Sequence, residues 1–469
     1  MPTADTIAAI STPAGSGAIA MIRLSGPRAF GILGKVFKPG KKDQTLSQMK
    51  THTNLLGTIH NESRVIDEVV VNVFRSPNSY TGEDLLEITC HGSVYIQQEI
   101  LALLIRQGAR LAHPGEYTQR AFLNGKMDLS QAEAVADLIA SSGKAAHQLA
   151  MKQMRAGFSK ELDILRVQML QFVSLIELEL DFAEEDVEFA DRSQVRELIE
   201  EILVQVNQLI RSFELGNAVK NGIPVAIVGE TNTGKSTLLN TLLKEDKAIV
   251  SDIAGTTRDI IEDVIHLEGI EFRFIDTAGL RHTDDTIENL GIERSFQQID
   301  KARIVLLVTD PTAPEAQSQR WVSRVAEKIR DDQHLVILVN KTDRNPEAAR
   351  QRKTYIQSQS SGSKKAEIIL ISAKTGSGLD ELISTLLTTV NLSALDNQDV
   401  IVTNVRHFEA LEHTREALDR ALNGLSTGIS GEFLAQDIRE ALGYLGEING
   451  TITTDEILGN IFKNFCIGK

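Results

Sequence analysis

The sequence predicts a multidomain α/β protein in which a doubly wound domain is inserted into a helical domain. Between residues 217 and 392, apolar strand patterns alternate with helical patterns, which is typical of a parallel sheet covered by helices. On both sides of this segment, apolar residues recur at helical spacing. The simplest assembly joins the two flanking helical segments into one discontinuous domain.

The first predicted domain, residues 1–125, is a mixed α/β unit. Apolar runs at residues 18–24, 69–74 and 85–89 predict strands. Residues 93–107 predict a helix, which ends before a glycine.

The helical domain is predicted in two parts, residues 126–216 and 393–469. Apolar residues such as Leu162 and Leu165 recur three and four positions apart in the first part. The acidic stretch Glu177–Asp191 is interpreted as a solvated turn between two long helices rather than as a metal site.

The inserted segment, residues 217–392, contains a phosphate-binding loop. The loop follows the apolar run Val225–Val228 and leads into a helical stretch from Thr237, the context that this motif requires. In such a loop the backbone N–H groups surround phosphates, the lysine reaches the β- and γ-phosphates, and the hydroxyl after it binds Mg²⁺. The loop reads Gly229-Glu230-Thr231-Asn232-Thr233-Gly234-Lys235-Ser236.

Three further motifs follow apolar strands and indicate that the nucleotide is a guanine nucleotide. Asp276 is expected to hold the Mg²⁺ shell. The Asp343 carboxylate can accept two N–H bonds from the guanine edge, which adenine cannot supply. We therefore predict a Ras-like P-loop GTPase domain that binds GTP and Mg²⁺. The motifs are Asp276-Thr277-Ala278-Gly279, Asn340-Lys341-Thr342-Asp343 and Ser372-Ala373-Lys374.

The residue that positions the attacking water differs from that of Ras-type switches. There a glutamine follows the Asp-x-x-Gly motif, whereas this chain has Leu280, which has no polar side-chain atom. A monovalent cation is one candidate replacement, held by Asn232 and by carbonyls of a small-residue segment that also contains the threonine expected on Mg²⁺. Glu288 is the other candidate, although its sequence context alone favours a solvated loop carboxylate. The small-residue segment is Ser251-Asp252-Ile253-Ala254-Gly255-Thr256-Thr257-Arg258-Asp259.

Composition excludes several classes of protein. In 469 residues no apolar run approaches the ~20 residues of a membrane span, and the N-terminus lacks a signal-peptide pattern. The two cysteines, Cys90 and Cys466, favour a reducing cytoplasm over a disulfide scaffold. The net charge of −15 argues against a broad nucleic-acid-binding face, so any RNA contact must be local or shared with a partner. His91 is interpreted as part of a buried turn rather than as a metal ligand.

Motifs along essentially the whole chain resemble the MnmE (TrmE) family of bacterial tRNA-modification GTPases. In the inserted domain these are the loop with Asn232, residues 255–259 and residues 276–281. Outside it, the similar segments are Thr12-Pro13 with Arg23-Leu24-Ser25-Gly26, Tyr80-Thr81-Gly82-Glu83-Asp84, Pro114-Gly115-Glu116-Tyr117, Gln131-Ala132-Glu133-Ala134 and Phe465-Cys466-Ile467-Gly468-Lys469.

The resemblance implies a K⁺-dependent GTPase whose GTPase domains dimerise face to face. It implies that Glu288 orients the water, which reverses the interpretation from its sequence context. It also implies a homodimer whose N-terminal domain dimerises and binds 5-formyl-tetrahydrofolate or a related folate. The implied ligands are Ser236 and Thr257 for Mg²⁺; Asn232, Ser251, Ile253 and Thr256 for K⁺; and Arg23, Glu83, Lys126 and Lys469 for the folate.

The implied activity is addition of a carboxymethylaminomethyl group to C5 of the wobble uridine of certain tRNAs. The carbon would come from the folate, and an FAD-dependent MnmG-type protein would be the partner in a heterotetramer or larger assembly. The resemblance places Cys466 near the modification site, while its chemistry alone favours a small apolar packing role. Two other functions stay open, a switch GTPase for ribosome assembly and a folate-dependent one-carbon enzyme that a GTPase merely regulates.

Overall fold

The computed structural model describes residues 5–41, 44–155, 157–181, 192–249, 263–275, 297–359, 366–389, 400–463 and 465–468. The chain separates into two compact units. The first comprises Met1–Ala140, Met151–Val206 and Glu409–Lys469, and the second comprises Ser141–Ala150 and Asn207–Phe408.

The first unit contains a seven-stranded sheet, as far as the described residues show, in the order β3-β4-β5-β6-β2-β1-β7. Neighbouring strands are antiparallel except for β1 and β7, which are parallel. The strands are β1 (Ile7–Ile10), β2 (Ile19–Ser25), β3 (Phe37–Pro39), β4 (Thr53–Asn61), β5 (Arg64–Phe74), β6 (Leu85–His91) and β7 (Arg110–Leu111).

Alternating burial explains how this sheet forms its core. In β5, Val69, Val71 and Val73 are buried while the residues between them are partly exposed, the two-residue period of a strand with one face on a core. Ile100 and Leu104 lie in the same apolar cluster and come from the helix Val94–Arg106. The predicted strands and helix of the N-terminal domain are therefore confirmed.

Helices dominate the middle and the end of the chain. Those in the described residues are α1 (Ala29–Gly34), α2 (Val94–Arg106), α3 (Glu116–Leu123), α4 (Leu129–Ala140), α5 (Lys144–Met154), α6 (Gly157–Asp181), α7 (Arg192–Asn221), α8 (Lys235–Ile249), α9 (Glu315–Lys328), α10 (Pro346–Gln359), α11 (Leu379–Thr389), α12 (Val405–Thr427), α13 (Gly431–Asn449) and α14 (Asp455–Phe462). None of these helices combines the length and apolar character that a bilayer span requires.

Two interpretations from the sequence are corrected here. Helix α6 continues to Asp181, so the acidic stretch begins as helix rather than as a turn, and residues 182–191 lie outside the described residues. His91 is not buried, because its side chain is 70% exposed at the end of β6. It pairs there with the buried Asp67, at 2.7 Å between Nδ1 and Oδ1.

The second unit contains a six-stranded sheet, within its described residues, in the order β13-β12-β11-β8-β10-β9. All neighbours are parallel except β9 and β10. The strands are β8 (Ile223–Val228), β9 (Asp263–Leu267), β10 (Ile270–Phe274), β11 (Ile304–Thr309), β12 (His334–Val339) and β13 (Glu367–Leu370).

Apolar clusters cover both faces of this sheet. Leu238 and Leu242 of α8 pack in one cluster, while Val325 of α9 and Ile356 of α10 pack in the other. Fully buried parallel strands of this kind have continuous apolar sequences, as Ile304–Thr309 does. The predicted doubly wound P-loop domain is confirmed.

Strand β8 determines where a ligand can bind. The strands that follow it in the chain lie on its two sides, β9 and β10 on one side and β11 to β13 on the other. The strand order therefore reverses direction at β8. In open α/β sheets such a reversal leaves a crevice at the carboxyl ends of the strands, where ligands bind. The phosphate-binding loop begins at this end of β8, directly after Val228.

Candidate functional site

The phosphate-binding loop has a backbone that few side chains would permit. Gly229 and Gly234 have φ angles of 144° and 97°, and Asn232 has a φ of 61°. A Cβ on Gly229 would lie 2.3 Å from the Val308 carbonyl oxygen. A Cβ on Gly234 would lie 2.3 Å from the Asn340 side-chain nitrogen. Both glycines therefore let neighbouring groups approach the loop closely.

Lys235 and Ser236 begin helix α8 at the end of this loop. Lys235 Nζ donates to the carbonyl oxygens of Gly229, at 2.8 Å, and of Glu230. Burial lowers the pKa of Lys235 to about 8, although the nearby Glu230 carboxylate opposes the shift. A bound phosphate would restore full charge to this amine. The helix N-terminus adds its partial positive charge at the same place.

Asn340 links the phosphate-binding loop to the motif Ser372-Ala373-Lys374, which we call the base-binding segment. Its Nδ2 donates to the Thr233 carbonyl oxygen at 2.8 Å, and its Oδ1 accepts from the Ala373 N–H at 2.9 Å. The side chain is almost completely buried, so both bonds are shielded from water. Three of the predicted GTP-binding segments are thus connected through one amide.

Lys341 provides a second link to the same loop. Its Nζ donates to the Asn232 carbonyl oxygen at 2.6 Å and to Asp310 Oδ2 at 2.6 Å. Lys341 has a φ of 61°, a conformation that side chains rarely adopt. Such strained positions cluster at binding sites, where the surrounding structure holds them.

Asp343, which is exposed, is oriented by a serine of the base-binding segment. The Ser372 hydroxyl donates to Asp343 Oδ1 at 2.7 Å, and this hydrogen bond lowers the pKa of the Asp343 carboxyl group. The carboxylate is therefore ionised and acts only as an acceptor, which suits the N–H groups of guanine. Ser372 also accepts from the Thr375 N–H at 3.3 Å.

Two residues around the base-binding segment were not predicted from the sequence. Asp310 follows β11 and pairs with Lys341; burial opposes ionisation, but bonds from Lys341 and Thr312 lower its pKa. Thr241 of α8 donates to the Ala373 carbonyl oxygen at 2.8 Å. Asp310 could have been predicted as a site residue from its position at the carboxyl end of a buried strand. The sequence around Thr241 does not distinguish it from other residues of the helix.

Several predicted site residues lie outside the described residues. These are Ser251, Asp252, Ile253, Ala254, Gly255, Thr256, Thr257, Asp276, Thr277, Ala278, Gly279, Glu288 and Lys469. The roles assigned to them stay predictions. The described members of the predicted cation and phosphate sites are Asn232, Thr233, Gly234, Lys235, Ser236 and Thr237.

In the first unit, the three described members of the predicted folate set lie at the segment between β5 and β6. Arg23 of β2 lies 5.6 Å from the centre of the Tyr80 ring and donates from Nε to Glu87 Oε1 at 2.9 Å. Glu83 belongs to this segment. Lys126 Nζ donates to the Pro77 carbonyl oxygen at 3.0 Å. The structure therefore brings Arg23, Glu83 and Lys126 to one loop.

Glu83 is held by two donors. Ser25 Oγ lies 2.9 Å from Glu83 Oε2, and Arg120 Nη1 lies 3.1 Å and 3.2 Å from the two carboxylate oxygens. Arg120 is 2% exposed and also donates to Asp5 and Glu116. An ionised carboxylate has about four acceptor positions. Glu83 thus retains capacity to accept an N–H bond from a ligand.

The C-terminal segment reaches the same region of the first unit. Ser11 Oγ and Arg23 Nη1 both donate to the Gly468 carbonyl oxygen, at 3.1 Å and 3.3 Å. Phe465 is buried in an apolar cluster with Leu129, Ala132, Leu458 and Phe462. Between these two anchored positions, Cys466 is exposed and its thiol is not a core group. The apolar packing role considered for Cys466 is therefore wrong.

Comparisons with known proteins cover nearly the whole chain. Residues 6–126 match the family described as "GTP-binding protein TrmE N-terminus", and residues 129–466 match "MnmE helical domain". The chain is 55% identical over 465 residues to the tRNA modification GTPase MnmE of Bacteroides thetaiotaomicron, covering 99% of each. It is 53% identical over 471 residues to the protein of that name from Christiangramia forsetii, again covering 99% of each. Among solved structures, Aquifex aeolicus Era is 26% identical over 41% of this chain and 66% of Era, with a TM-score of 0.27, too low to add to the argument.

Proposed function

The chain belongs to the MnmE family of tRNA modification GTPases, and from this membership we propose that it hydrolyses GTP to drive a modification of tRNA. The modification is addition of a carboxymethylaminomethyl group to C5 of the wobble uridine. A folate supplies the one-carbon unit, and an FAD-dependent MnmG-type protein is the partner. The reaction takes place in the cytoplasm.

The assembled nucleotide site is the observation that carries this proposal. Asn340 and Lys341 hydrogen-bond to the carbonyl oxygens of Thr233 and Asn232, so the base-binding and phosphate-binding segments form one site. The Asp343 carboxylate, oriented by Ser372, selects guanine over adenine. Lys235 and the start of α8 supply positive charge for the phosphates.

The proposed cations are held by oxygen atoms. The hydroxyl groups of Ser236 and Thr257 bind Mg²⁺, and Asn232 with Ser251, Ile253 and Thr256 forms the K⁺ shell. A cation beside the phosphates supplies the charge stabilisation that an arginine finger gives in related GTPases. Glu288 orients the attacking water, a role for which Leu280 has no polar atom.

The N-terminal site is proposed to hold the folate. Arg23, Lys126 and Lys469 supply positive charge for its glutamate tail, and Glu83 accepts N–H groups of its pterin ring. The GTPase domains dimerise face to face, and the chain forms a homodimer that joins the partner in a heterotetramer or larger assembly. The hydrogen bond from Arg23 to the Gly468 carbonyl oxygen supports the assignment of the next residue, Lys469, to the same site.

Reconstitution in two salts tests this proposal. The chain is mixed with the partner, a folate one-carbon donor and unmodified tRNA, and product uridine and GTP turnover are measured in KCl or NaCl. We expect GTP turnover to be roughly 10-fold or more faster in KCl. The cation replaces an arginine finger, a group that raises kcat by a factor of about 10³–10⁵ in related GTPases. Asn232→Ala should abolish the difference between the salts.

Two outcomes would contradict parts of the proposal. Equal GTP turnover in KCl and NaCl would remove the K⁺ site. Full modification with a non-hydrolysable GTP analogue would instead favour a folate-dependent enzyme that the GTPase only regulates.

A further inference from the structure

A groove lies between helices α9 and α10 of the second unit, and none of its lining residues is among those assigned to GTP. It encloses about 610 Å³ and is open to solvent on one side. Both helices pack through Val325 and Ile356 on one face of the sheet. The groove is lined by Ala316, Gln317, Gln319, Arg320, Trp321, Ser323, Arg324 and Tyr355.

The groove is basic in an acidic chain. Arg320 and Arg324 are exposed and lie one helical turn apart, so both guanidinium groups can reach one anion. Arg320 forms no hydrogen bond or ion pair within the part of the chain that the structure describes. Apart from the buried Arg352, the two helices carry five basic residues, Arg320, Arg324, Lys328, Arg350 and Lys353, against the three acidic residues Glu315, Glu327 and Glu347.

Three polar side chains of the groove carry an oxygen atom that has no hydrogen-bond partner among the described residues. Gln319 Oε1 is buried and accepts no hydrogen bond. Buried acceptors are nearly always satisfied, so this oxygen is available to an N–H donor of a ligand. The Ser323 and Tyr355 hydroxyl groups also form no hydrogen bond among the described residues, and the Tyr355 side chain is half-buried.

We propose that this groove binds an unpaired nucleotide of an RNA. Arg320 and Arg324 contact the phosphate, the Tyr355 ring lies against the base, and Gln319 Oε1 accepts an N–H from the base edge. The choice of RNA rests on the proposed function, because tRNA is the substrate class. It also agrees with the net charge of −15, which requires that contact with RNA be local.

An RNA fits these groups better than an acidic protein does. Carboxylates would use the two arginines but would leave the aromatic ring and the buried amide oxygen without a role. A nucleotide supplies an anion, a flat π-face and N–H donors within one small group. Guanidinium and aromatic groups are the usual means by which unstacked bases are held.

The only tryptophan of the chain, Trp321, lines this groove and reports on it directly. The full-length protein is saturated with GDP and titrated with unmodified tRNA and with a single-stranded RNA oligonucleotide. Binding is followed by anisotropy of labelled RNA and by Trp321 emission. We expect both RNAs to bind and to change the emission, whereas poly-glutamate should do neither.

Two groove variants separate the phosphate contact from the base contact. Arg320→Gln should weaken RNA binding about fivefold and reduce the slope of log K against log salt by about 0.7–0.9. Tyr355→Ala should weaken binding about tenfold and leave the slope unchanged, because stacking releases no counterions. Lys301→Gln removes an exposed cation of the same unit outside the groove and should bind RNA as the unchanged protein does.

Three results would overturn the proposal. RNA binding without a change in Trp321 emission would place the RNA elsewhere. Equal losses of RNA affinity in Arg320→Gln and Lys301→Gln would show that the loss follows from net charge alone. Poly-glutamate binding as tightly as RNA would assign the groove to an acidic protein. GTP turnover is measured on the same samples, so a failed groove with intact turnover leaves the GTPase proposal standing.

Discussion

Replacing Asp343 with asparagine is expected to weaken GTP binding by roughly 10²-fold or more, because sites built to hydrogen-bond one edge discriminate by factors of about 10⁴–10⁵. In the proposed site the carboxylate accepts two N–H bonds from guanine, and the amide that replaces it would present an N–H where an acceptor is needed. Xanthosine triphosphate has a carbonyl oxygen at that edge, so its binding should be preserved or improved. Calorimetric titration of the variant with both nucleotides measures the switch.

Ser372→Ala is the matched control for Asp343→Asn. It keeps the carboxylate and removes the 2.7 Å hydrogen bond that orients it, so the loss of GTP affinity should be only about fivefold. Xanthosine triphosphate should gain nothing in this variant. An equal loss of both nucleotides in Asp343→Asn would indicate a folding defect and would contradict the assignment of Asp343 to the base.

Replacing Glu288 with alanine is expected to lower the turnover number for GTP by roughly 10²-fold or more, the effect of removing one group that acts in the transition state. GTP affinity should stay nearly unchanged, because Glu288 is proposed to contact only the attacking water. Single-turnover hydrolysis and nucleotide titration, both in KCl, separate these two quantities.

Asp285→Ala serves as the control for Glu288→Ala, since it removes a nearby carboxylate of the same segment. It should hydrolyse GTP at the rate of the unchanged protein. If Glu288→Ala behaves in the same way, Glu288 is an ordinary solvated carboxylate and another group must position the water.

Local patterns predicted the fold because they depend on neighbours in the chain. The apolar runs at residues 69–74 and Val225–Val228 each predict a strand without information from distant parts of the chain. The phosphate-binding loop was equally clear, since a strand, two glycines and a helix start follow one another. The doubly wound order then follows from alternating strands and helices.

Contacts between distant residues could not be predicted in this way. Asp310 pairs with Lys341 only because two parallel strands end at one edge of a sheet. The C-terminal Gly468 bonds to Ser11, which lies 457 positions away. Such contacts depend on packing of whole segments rather than on any local pattern.

The sequence also did not reveal the charged neighbours or the burial of individual side chains. The buried Arg120 forms ion pairs with three carboxylates, those of Asp5, Glu83 and Glu116. Nothing in the sequence distinguishes this arginine from the others. His91 was interpreted as part of a buried turn rather than as a metal ligand, yet it ends strand β6, in which successive residues point to opposite faces. Burial on one side of β6 thus leaves the His91 side chain exposed.

The central claim is that a K⁺ ion and Glu288 together replace the glutamine that Leu280 displaces. A crystal structure with GDP, aluminium fluoride, Mg²⁺ and K⁺ tests it most directly. We expect a monovalent cation bonded to the Asn232 side-chain oxygen and a single water in line with the fluoride, oriented by Glu288. Density for that water on any other side chain, with no cation at Asn232, would show that neither K⁺ nor Glu288 replaces the glutamine.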